Sequence, residues 1–231
     1  MNLAVIPARG ASKRIPKKNI REFCGKPMIA YAIDVAKRSG LFDHVIVSTD
    51  DQEIRHISQQ YGAETPFTRP DNLADDHTPT VPVIVHAIST VQDLGLFPDH
   101  VCCIYPSVPL LQVCDLKNAF ALHLKHPEKY VFPVSKFSAS IQRALKMDKQ
   151  GNVSPFFPEN VNRRTQDTEI GYHDAGQFYW ASAKVWLSKL QPHEHALGYC
   201  IPSWRSVDID TPEDWQRAEI IFRYMEHEEV R

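Results

Sequence analysis

Short apolar runs alternate along the chain with longer segments in which apolar residues recur at the spacing of a helix. The apolar runs predict strands at residues 3–6, 44–48, 101–105, 130–134, 177–181 and 205–209. The periodic segments predict helices at residues 27–39, 51–61, 81–94, 115–123 and 183–189, and a last helix that begins at Pro212. Strands and helices in alternation are typical of βαβ units, so the pattern predicts an α/β fold with a Rossmann-like, mostly parallel sheet.

Residues 135–172 interrupt this alternation. Gly151, Pro155 and Pro158 break the periodicity there, and the pattern weakens over the whole stretch. A length of 231 residues suits one α/β domain. We therefore expect a single domain over residues 1–231 with an inserted arm at residues 135–172.

Composition excludes several classes of protein. The chain has 26 basic and 28 acidic side chains, a net charge of −2, which argues against binding nucleic acid through bulk electrostatics. No apolar stretch approaches the ~20 residues needed to span a bilayer. The five cysteines are odd in number and scattered, which fits thiols in a reducing compartment better than a disulfide framework or a zinc site. We expect a cytoplasmic protein with neither nucleic acid nor membrane as a partner.

A basic loop directly follows the first predicted strand. Five of the fourteen residues in the range 6–19 are Lys or Arg. Loops at the carboxyl ends of parallel strands bind ligands in open α/β sheets. Arg9, Lys13 and Lys18, with backbone N–H groups near Gly10 and Ser12, suit a triphosphate. Neither the Walker pattern nor G-x-G-x-x-G occurs, so phosphate binding here must use another loop architecture.

Two acidic residues near the carboxyl end form the second candidate site. Asp208 and Asp210 are one residue apart, so on the predicted strand at 205–209 they would point the same way and could share a hard cation such as Mg²⁺. The alternative is that they only flank a helix cap at Thr211. By contrast, Asp75 with Asp76, and His193 with His195, are expected to lie in solvated loops rather than to bind metal.

Four motifs, in order along the chain, resemble those of the CMP-sialic acid synthetase family of cytidylyltransferases. Residues 6–20, which read IPARGASKRIPKKNI, are similar to that family's nucleotide-binding loop. Residues 44–50 look like its strand end, residues 69–74 like its Arg-Pro segment, and residues 206–211 like its metal segment. The resemblance implies a nucleotidyltransferase fold, a Mg²⁺-dependent enzyme, and a homodimer in which the arm packs on a second subunit and helps complete its sugar site.

Within that family, the sequences of residues 103–109, 164–167 and 172–180 look most like those of the pseudaminic acid cytidylyltransferases. Tyr105 and Leu111 stand where sialic acid enzymes show glutamine and arginine, and His173 replaces a later arginine. The implied reaction joins CTP and this nine-carbon sugar acid into CMP-pseudaminic acid and pyrophosphate. The nearest alternatives are a CMP-N-acetylneuraminic or CMP-legionaminic acid synthetase, and then an enzyme for a 3-deoxy-octulosonic acid. A non-catalytic CTP-binding regulator is the alternative of another class.

The resemblance also implies roles for individual residues. The predicted catalytic residues are Arg9, Lys13, Lys18 and Asp210, and the predicted metal ligands are Asp208 and Asp210. The predicted CTP contacts are Pro7, Ala8, Arg9, Ser12, Lys13, Lys18, Asn19, Arg69 and Thr80. The predicted sugar-acid contacts are Tyr105, Arg164, Gln166, His173, Gln177, Phe178 and Tyr179. The general base is left open among Asp208, Asp210 and a metal-bound hydroxide.

Overall fold

The computed structural model describes residues 1–12 and 14–229, so the predicted triphosphate contact Lys13 lies outside the described residues. Its strands are β1 (Asn2–Pro7), β2 (Glu22–Phe23), β3 (Lys26–Pro27), β4 (His44–Ser48), β5 (His100–Ile104), β6 (Tyr130–Lys136), β7 (Leu145–Met147), β8 (Val153–Pro155), β9 (Tyr172–Asp174), β10 (Phe178–Ser182) and β11 (Ala196–Cys200). Its helices are α1 (Met28–Ser39), α2 (Gln52–Gln60), α3 (Thr80–Asp93), α4 (Val113–Lys125), α5 (Ala183–Leu187) and α6 (Pro212–Glu229). Over the described ranges, no helix combines the length and the apolar character that crossing a bilayer requires.

The main sheet is mixed but mostly parallel, as predicted. Its order is β11–β6–β10–β5–β1–β4, and β9 adds to β6. β1 runs parallel to β4 and β5, β6 runs parallel to β11, and β10 is antiparallel to both β5 and β6. The strands β1, β4, β5, β6 and β11 therefore end at one edge of the sheet, and β10 begins there.

Both faces of this sheet are covered by helices. Ala4 and Ile6 of β1 pack with α1 and α4 on one face, while Leu3 and Val5 pack with α3 on the other. Successive side chains of a strand point to opposite faces, so a strand buried on both sides must be apolar throughout. This explains why the central strands appear in the sequence as unbroken apolar runs.

The predicted strand at residues 205–209 is wrong. The segment contains a 3₁₀ turn at Ser203–Arg205 and then extended chain outside the sheet, and the strand beside β6 is instead β11, which the pattern missed. Ile209 is 1% exposed because it packs with Ile15 of the basic loop and Trp215 of α6 in a separate apolar cluster. Its apolar side chain thus anchors a loop. The apolar pattern did not predict β11, because the residues of this strand are half-buried or exposed.

A buried ion pair holds the same segment to the helical layer. Arg205 donates to both carboxylate oxygens of Asp115, one at 3.1 Å, and the two residues are 8% and 1% exposed. Asp115 also accepts from the backbone N–H of Gln112 in the capping box of α4. The Arg205 carbonyl accepts a 3.0 Å bond from the side chain of Gln177. The chain is therefore fixed three residues before Asp208.

The region predicted as an arm consists largely of irregular chain. Between β6 and β9 it contains the hairpin of β7 and β8, which pair with each other and not with the main sheet, and short 3₁₀ turns. β6 extends to Lys136 and β9 begins at Tyr172, so the segment between these two strands covers residues 137–171.

We predict that substitution of Asp115 by Asn lowers the free energy of unfolding by about 3 kcal/mol or more, because it leaves the Arg205 guanidinium buried without a counter-charge. Denaturant unfolding measures this change. Asp34→Asn, which removes the partner of Lys26 in a solvent-facing pair, is the matched control and should cost about 1 kcal/mol or less. Equal losses in the two variants would contradict a special role for the buried pair.

A buried histidine pair predicts acid sensitivity. His123 is fully buried against Trp180, and its Nε2 lies 3.0 Å from Nδ1 of His100. Burial lowers the pKa of His123 to about 4 and also lowers the pKa of His100. In the unfolded chain such groups take up protons below about pH 6.5, whereas in the folded protein they stay neutral, so stability is lost as the pH falls from 6.5 toward 4.

His123→Gln, which cannot titrate but keeps a polar group beside His100, should therefore show a smaller loss of stability between pH 7 and pH 5 than the wild type, by about 1 to 2 kcal/mol. Urea unfolding at both pH values gives the comparison. The same loss in both proteins would show that this pair does not carry the acid sensitivity.

Candidate active site

A cavity of about 610 Å³ opens at the edge of the sheet where β1 and β5 end. It gathers predicted residues that lie far apart in the sequence. Those in its lining are Pro7, Arg9, Ser12, Lys18, Asn19, Arg69, Thr80, Tyr105, Asp208 and Asp210. The parallel strands explain this convergence, because each delivers its following loop to the same edge.

The basic loop that follows β1 is held close to the sheet. The backbone N–H of Ala8 donates to the Ser48 carbonyl at the end of β4, and the side chain of Asn19 donates to the Arg9 carbonyl, both at 3.0 Å. A Cβ atom on Gly10 would stand 2.7 Å from a carboxylate oxygen of Asp51. The small residues of this loop therefore allow a close approach that a larger side chain would prevent.

The cations of the loop are paired with acidic groups around the cavity. Arg9 donates to the Asp75 carbonyl at 2.6 Å and lies 2.8 Å from a carboxylate oxygen of Asp76. Asp75 and Asp76 lie in an exposed loop, as expected, and that loop also lines the cavity. An anion that entered would compete with the Asp76 carboxylate and the Asp75 carbonyl for Arg9.

The other end of the loop meets the acidic pair. Lys18 donates to the Ile209 carbonyl at 2.7 Å and lies 3.6 Å from Asp210, and Arg14 lies 2.5 Å from the same carboxylate. Arg14 was not among the predicted contacts, although its place in the basic run was the available signal. The loop after β1 and the segment before α6 therefore form one charged wall of the cavity.

Asp208 and Asp210 lie in this wall although they are not on a strand. Burial, and secondarily the neighbouring Asp210, raises the pKa of Asp208, whereas Lys18 and Arg14 oppose that rise. Two carboxylates held so close favour a cation between them. Over residues 1–12 and 14–229 no cluster of three or more His, Cys, Asp or Glu side chains is arranged to hold a metal, so these residues supply at most part of a coordination shell.

Arg69 is buried and hydrogen-bonded within the protein, so it is not a free cation in the cavity. It is 4% exposed, and its Nε donates to the Ser48 hydroxyl at 3.1 Å while its Nη2 donates to the Ser48 carbonyl. Burial lowers its pKa to about 10, so it keeps its charge at neutral pH. It fastens the loop before α3 to the end of β4.

The predicted sugar-acid contacts are dispersed. Tyr105 lines the cavity, but Gln177 is 3% exposed and Phe178 has no exposed surface and packs in the core. Arg164 and Gln166 are exposed in the segment between β6 and β9. Among the described residues of one chain, the structure therefore brings only part of this group to the cavity.

Two further predicted positions also lie outside the lining. Ala8, a predicted CTP contact, has no exposed surface, and the half-buried His173 packs its ring on Phe137 with centroids 4.9 Å apart. Their predicted roles stay predictions.

A line of polar contacts behind Tyr105 was not foreseen. Tyr179 is 5% exposed, and its hydroxyl donates to the carboxylate of Asp174, whose Oδ2 also lies 2.8 Å from Nε2 of His193. His193 is exposed, as expected, but it is bonded rather than merely solvated. No spacing in the sequence indicates this contact, because it joins β9, β10 and the turn before β11.

Comparison with known proteins shows the family to which the chain belongs. The profile of the family described as Cytidylyltransferase matches residues 3–169. The chain is 40% identical over 225 residues, 96% of each protein, to a pseudaminic acid cytidylyltransferase of Campylobacter jejuni. It is 34% identical, over 94% of each protein, to a CMP-N,N'-diacetyllegionaminic acid synthase of Legionella pneumophila.

The fold is similar to that of a solved structure. A solved CMP:2-keto-3-deoxy-manno-octonic acid synthetase, determined with CTP, superposes with a TM-score of 0.73 and covers 97% of this chain and 99% of its own, at 17% identity. That identity supports the fold alone. The family match and the full-length relatives together show that the chain belongs to the cytidylyltransferase family.

Proposed function

We propose that this chain transfers a cytidylyl group from CTP to pseudaminic acid, forming CMP-pseudaminic acid and pyrophosphate. The observation that carries the proposal is the 40% identity to a pseudaminic acid cytidylyltransferase over almost the whole of both proteins. The cavity adds physical support, since basic side chains that suit phosphates face two carboxylates that suit a metal ion.

In the proposed reaction the anomeric hydroxyl of the sugar acid attacks the α-phosphorus of CTP. The hydroxyl loses its proton to a base as the new P–O bond forms, the bond from the α-phosphorus to the oxygen of the β-phosphate breaks, and pyrophosphate leaves with the electron pair. Asp208 and Asp210 are the candidates for that base among the residues of the cavity. Arg9 and Lys18 would exchange their present carboxylate and carbonyl partners for phosphate oxygens and balance the charge on the departing group. Lys13 would act with them.

We also propose that Asp208 and Asp210 hold Mg²⁺. The donor set fits this ion, because Mg²⁺ prefers oxygen ligands and usually takes only one or two carboxylates, leaving its other positions to phosphates and water. When bound, Mg²⁺ would polarise the phosphate and offset its charge.

The choice of sugar acid rests on the cavity wall as well as on the relatives. Tyr105 presents an aromatic ring where the sialic acid enzymes show glutamine, and aromatic surface suits a sugar with fewer hydroxyl groups. A buried donor or acceptor without a partner costs about 1 to 3 kcal/mol, so a polar sugar would be disfavoured there. Leu111 supports this choice less, because it is 5% exposed in the core.

We further propose that the protein is a cytoplasmic homodimer. The hairpin of β7 and β8 exposes apolar side chains, with Leu145, Met147 and Val153 all more than 60% exposed. A second copy covering this surface would also bring Arg164 and Gln166 toward a neighbouring cavity. A molar mass of one chain at micromolar concentration would contradict this assembly.

The proposed cytoplasmic location is supported by the free cysteines, which fit a reducing compartment.

Asp208→Asn and Asp210→Asn should each reduce Mg²⁺-dependent turnover by two or more orders of magnitude, about 3 kcal/mol, because charge stabilisation at the phosphate is lost. Pyrophosphate release with CTP and pseudaminic acid measures this. Asp34→Asn, outside the cavity, is the control and should be fully active. Near-normal Mg²⁺-dependent rates in both cavity variants would remove the metal assignment.

A panel of sugar acids should show a preference in kcat/KM of ~100-fold or more for pseudaminic over N-acetylneuraminic acid, the scale set by one or two mispaired polar groups. CMP-sugar formation at limiting sugar measures it, with N,N'-diacetyllegionaminic acid as a third substrate. Comparable rates with all three would leave only a general nonulosonic acid activity, and no turnover with any would favour the CTP-binding regulator.

A further inference from the structure

Two adjacent aspartates in the loop before α3 have different roles in the cavity wall. The carboxylate of Asp75 is used within its own loop, where it accepts from the backbone N–H groups of His77 and Thr78, at 2.9 and 2.6 Å, and from the Thr78 hydroxyl at 2.7 Å. The carboxylate of Asp76 instead lies against Arg9 of the basic loop. We call residues 75–78 the acidic turn.

The acidic turn is fixed from both sides. Before it, the backbone N–H of Arg69 donates to the Thr49 carbonyl at 2.9 Å, and the Arg69 guanidinium is bonded to Ser48. After it, α3 begins at Thr80. The hydrogen bonds of Asp75 close the turn between these two points, so the Asp76 carboxylate has a defined place opposite the basic loop.

A single atom of Arg9 carries both contacts with the acidic turn. Its Nη1 donates to the Asp75 carbonyl at 2.6 Å and lies 2.8 Å from Oδ1 of Asp76. The side chains of Arg9 and Asp76 are 35% and 27% exposed, so solvent screens this pair less than it would on an open surface. The backbone of Arg9 is held separately, through its carbonyl, by the side chain of Asn19.

This pair affects any phosphate group that binds Arg9. The phosphate must either displace the Asp76 carboxylate from Nη1 or lie beside a carboxylate of the same charge, and both lower its affinity. Because the acidic turn and the Arg9 backbone are each fixed independently, the Asp76 carboxylate stays within reach of Nη1 while a phosphate is bound. It can then take Nη1 back when the phosphate leaves.

We infer that Asp76 is an internal competitor for phosphate groups, which lowers the affinity of the cavity for polyphosphates and favours release of pyrophosphate. The inference rests on the proposed function, in which pyrophosphate forms beside the basic loop. Release of product limits turnover in many enzymes, so a resident carboxylate that replaces the product at Arg9 would be useful. Asp75 cannot do this with its carboxylate, which is already used within the turn.

Asp76→Asn tests the inference, because asparagine has nearly the same shape without the charge. We expect inorganic pyrophosphate to bind this variant about fivefold or more tightly than it binds the wild type. Calorimetry in a buffer with EDTA measures the dissociation constant, so that no metal takes part. Asp76→Ser, which also removes the charge, should give the same gain.

Asp71→Asn is the matched control. It removes the same charge from the same loop, but Asp71 is exposed and does not belong to the cavity lining. It should change the affinity by about twofold or less. In an Arg9→Gln background, where the pair no longer exists, Asp76→Asn should likewise change the affinity by about twofold or less.

Each other outcome would overturn the inference. Weaker or unchanged binding in both Asp76 variants would show that the carboxylate positions Arg9 or serves only the structure of the loop, since neither role produces tighter binding. An equal gain in Asp71→Asn, or in the Arg9→Gln background, would assign the effect to the general charge of the loop. No measurable binding by the wild type and both Asp76 variants would also exclude competition. Binding of pyrophosphate needs no turnover, so CMP-sugar formation by the wild type tests the proposed function separately.

Discussion

The position of the acidic pair depends on one buried ion pair outside the cavity. Asp208 and Asp210 are not part of the sheet, so no ladder of backbone hydrogen bonds places them. Their segment is tied instead by Arg205 to Asp115 on α4 and, on the other side, by Ile209 among apolar side chains. Transferring a charge from water to the protein interior is costly, and only pairing with an opposite charge in good geometry offsets that cost. The segment accordingly has one favourable position, beside the basic loop.

In that position the carboxylates of the segment offset the positive charge of the basic loop within the cavity. Lys18 and Arg14 lie beside Asp210 in one wall of the cavity, and Arg9 contacts Asp76. A metal ion held by Asp208 and Asp210, as proposed, would compete with Lys18 and Arg14 for Asp210 and so leave these two cations available to phosphates. Binding of an anion and binding of a cation would therefore support each other.

Much of this arrangement could be predicted from local patterns in the sequence. For some residues, however, the structure gives a different physical reason for their position than the predicted one. The strand His44–Ser48 has the predicted bounds, and Asp51 caps the following helix by accepting from two backbone N–H groups. Asp208 and Asp210 were expected together because of an assumed strand, whereas a loop anchored by Ile209 brings them to the cavity. Alternation of apolar residues cannot separate these cases, since both bury every second side chain.

Contacts between distant segments were beyond such patterns. The hydrogen bonds of Asp174 join three different elements, and the Asp115–Arg205 pair joins residues 90 positions apart. Short-range signals contain no information about a hydrogen bond whose geometry depends on how strands and loops are packed. The family resemblance supplied many of the residues that line the cavity, but it did not indicate the contacts of Asp174 or the Asp115–Arg205 pair.

Two sides of the cavity therefore present different kinds of recognition. The basic loop suits phosphates, which are the same in every nucleoside triphosphate, so in the proposed reaction Arg9 and Lys18 would provide affinity but no choice among bases. Arg69 also lines the cavity, where Nε and Nη2 of its guanidinium are bonded to Ser48. A choice among bases needs hydrogen-bonding groups at the edge of the ring, and in the cavity wall Thr80 and Tyr105 supply neutral hydroxyls whose oxygens lie 2.8 Å apart. Because a hydroxyl can both donate and accept, such a pair distinguishes two bases only if its surroundings fix which oxygen donates.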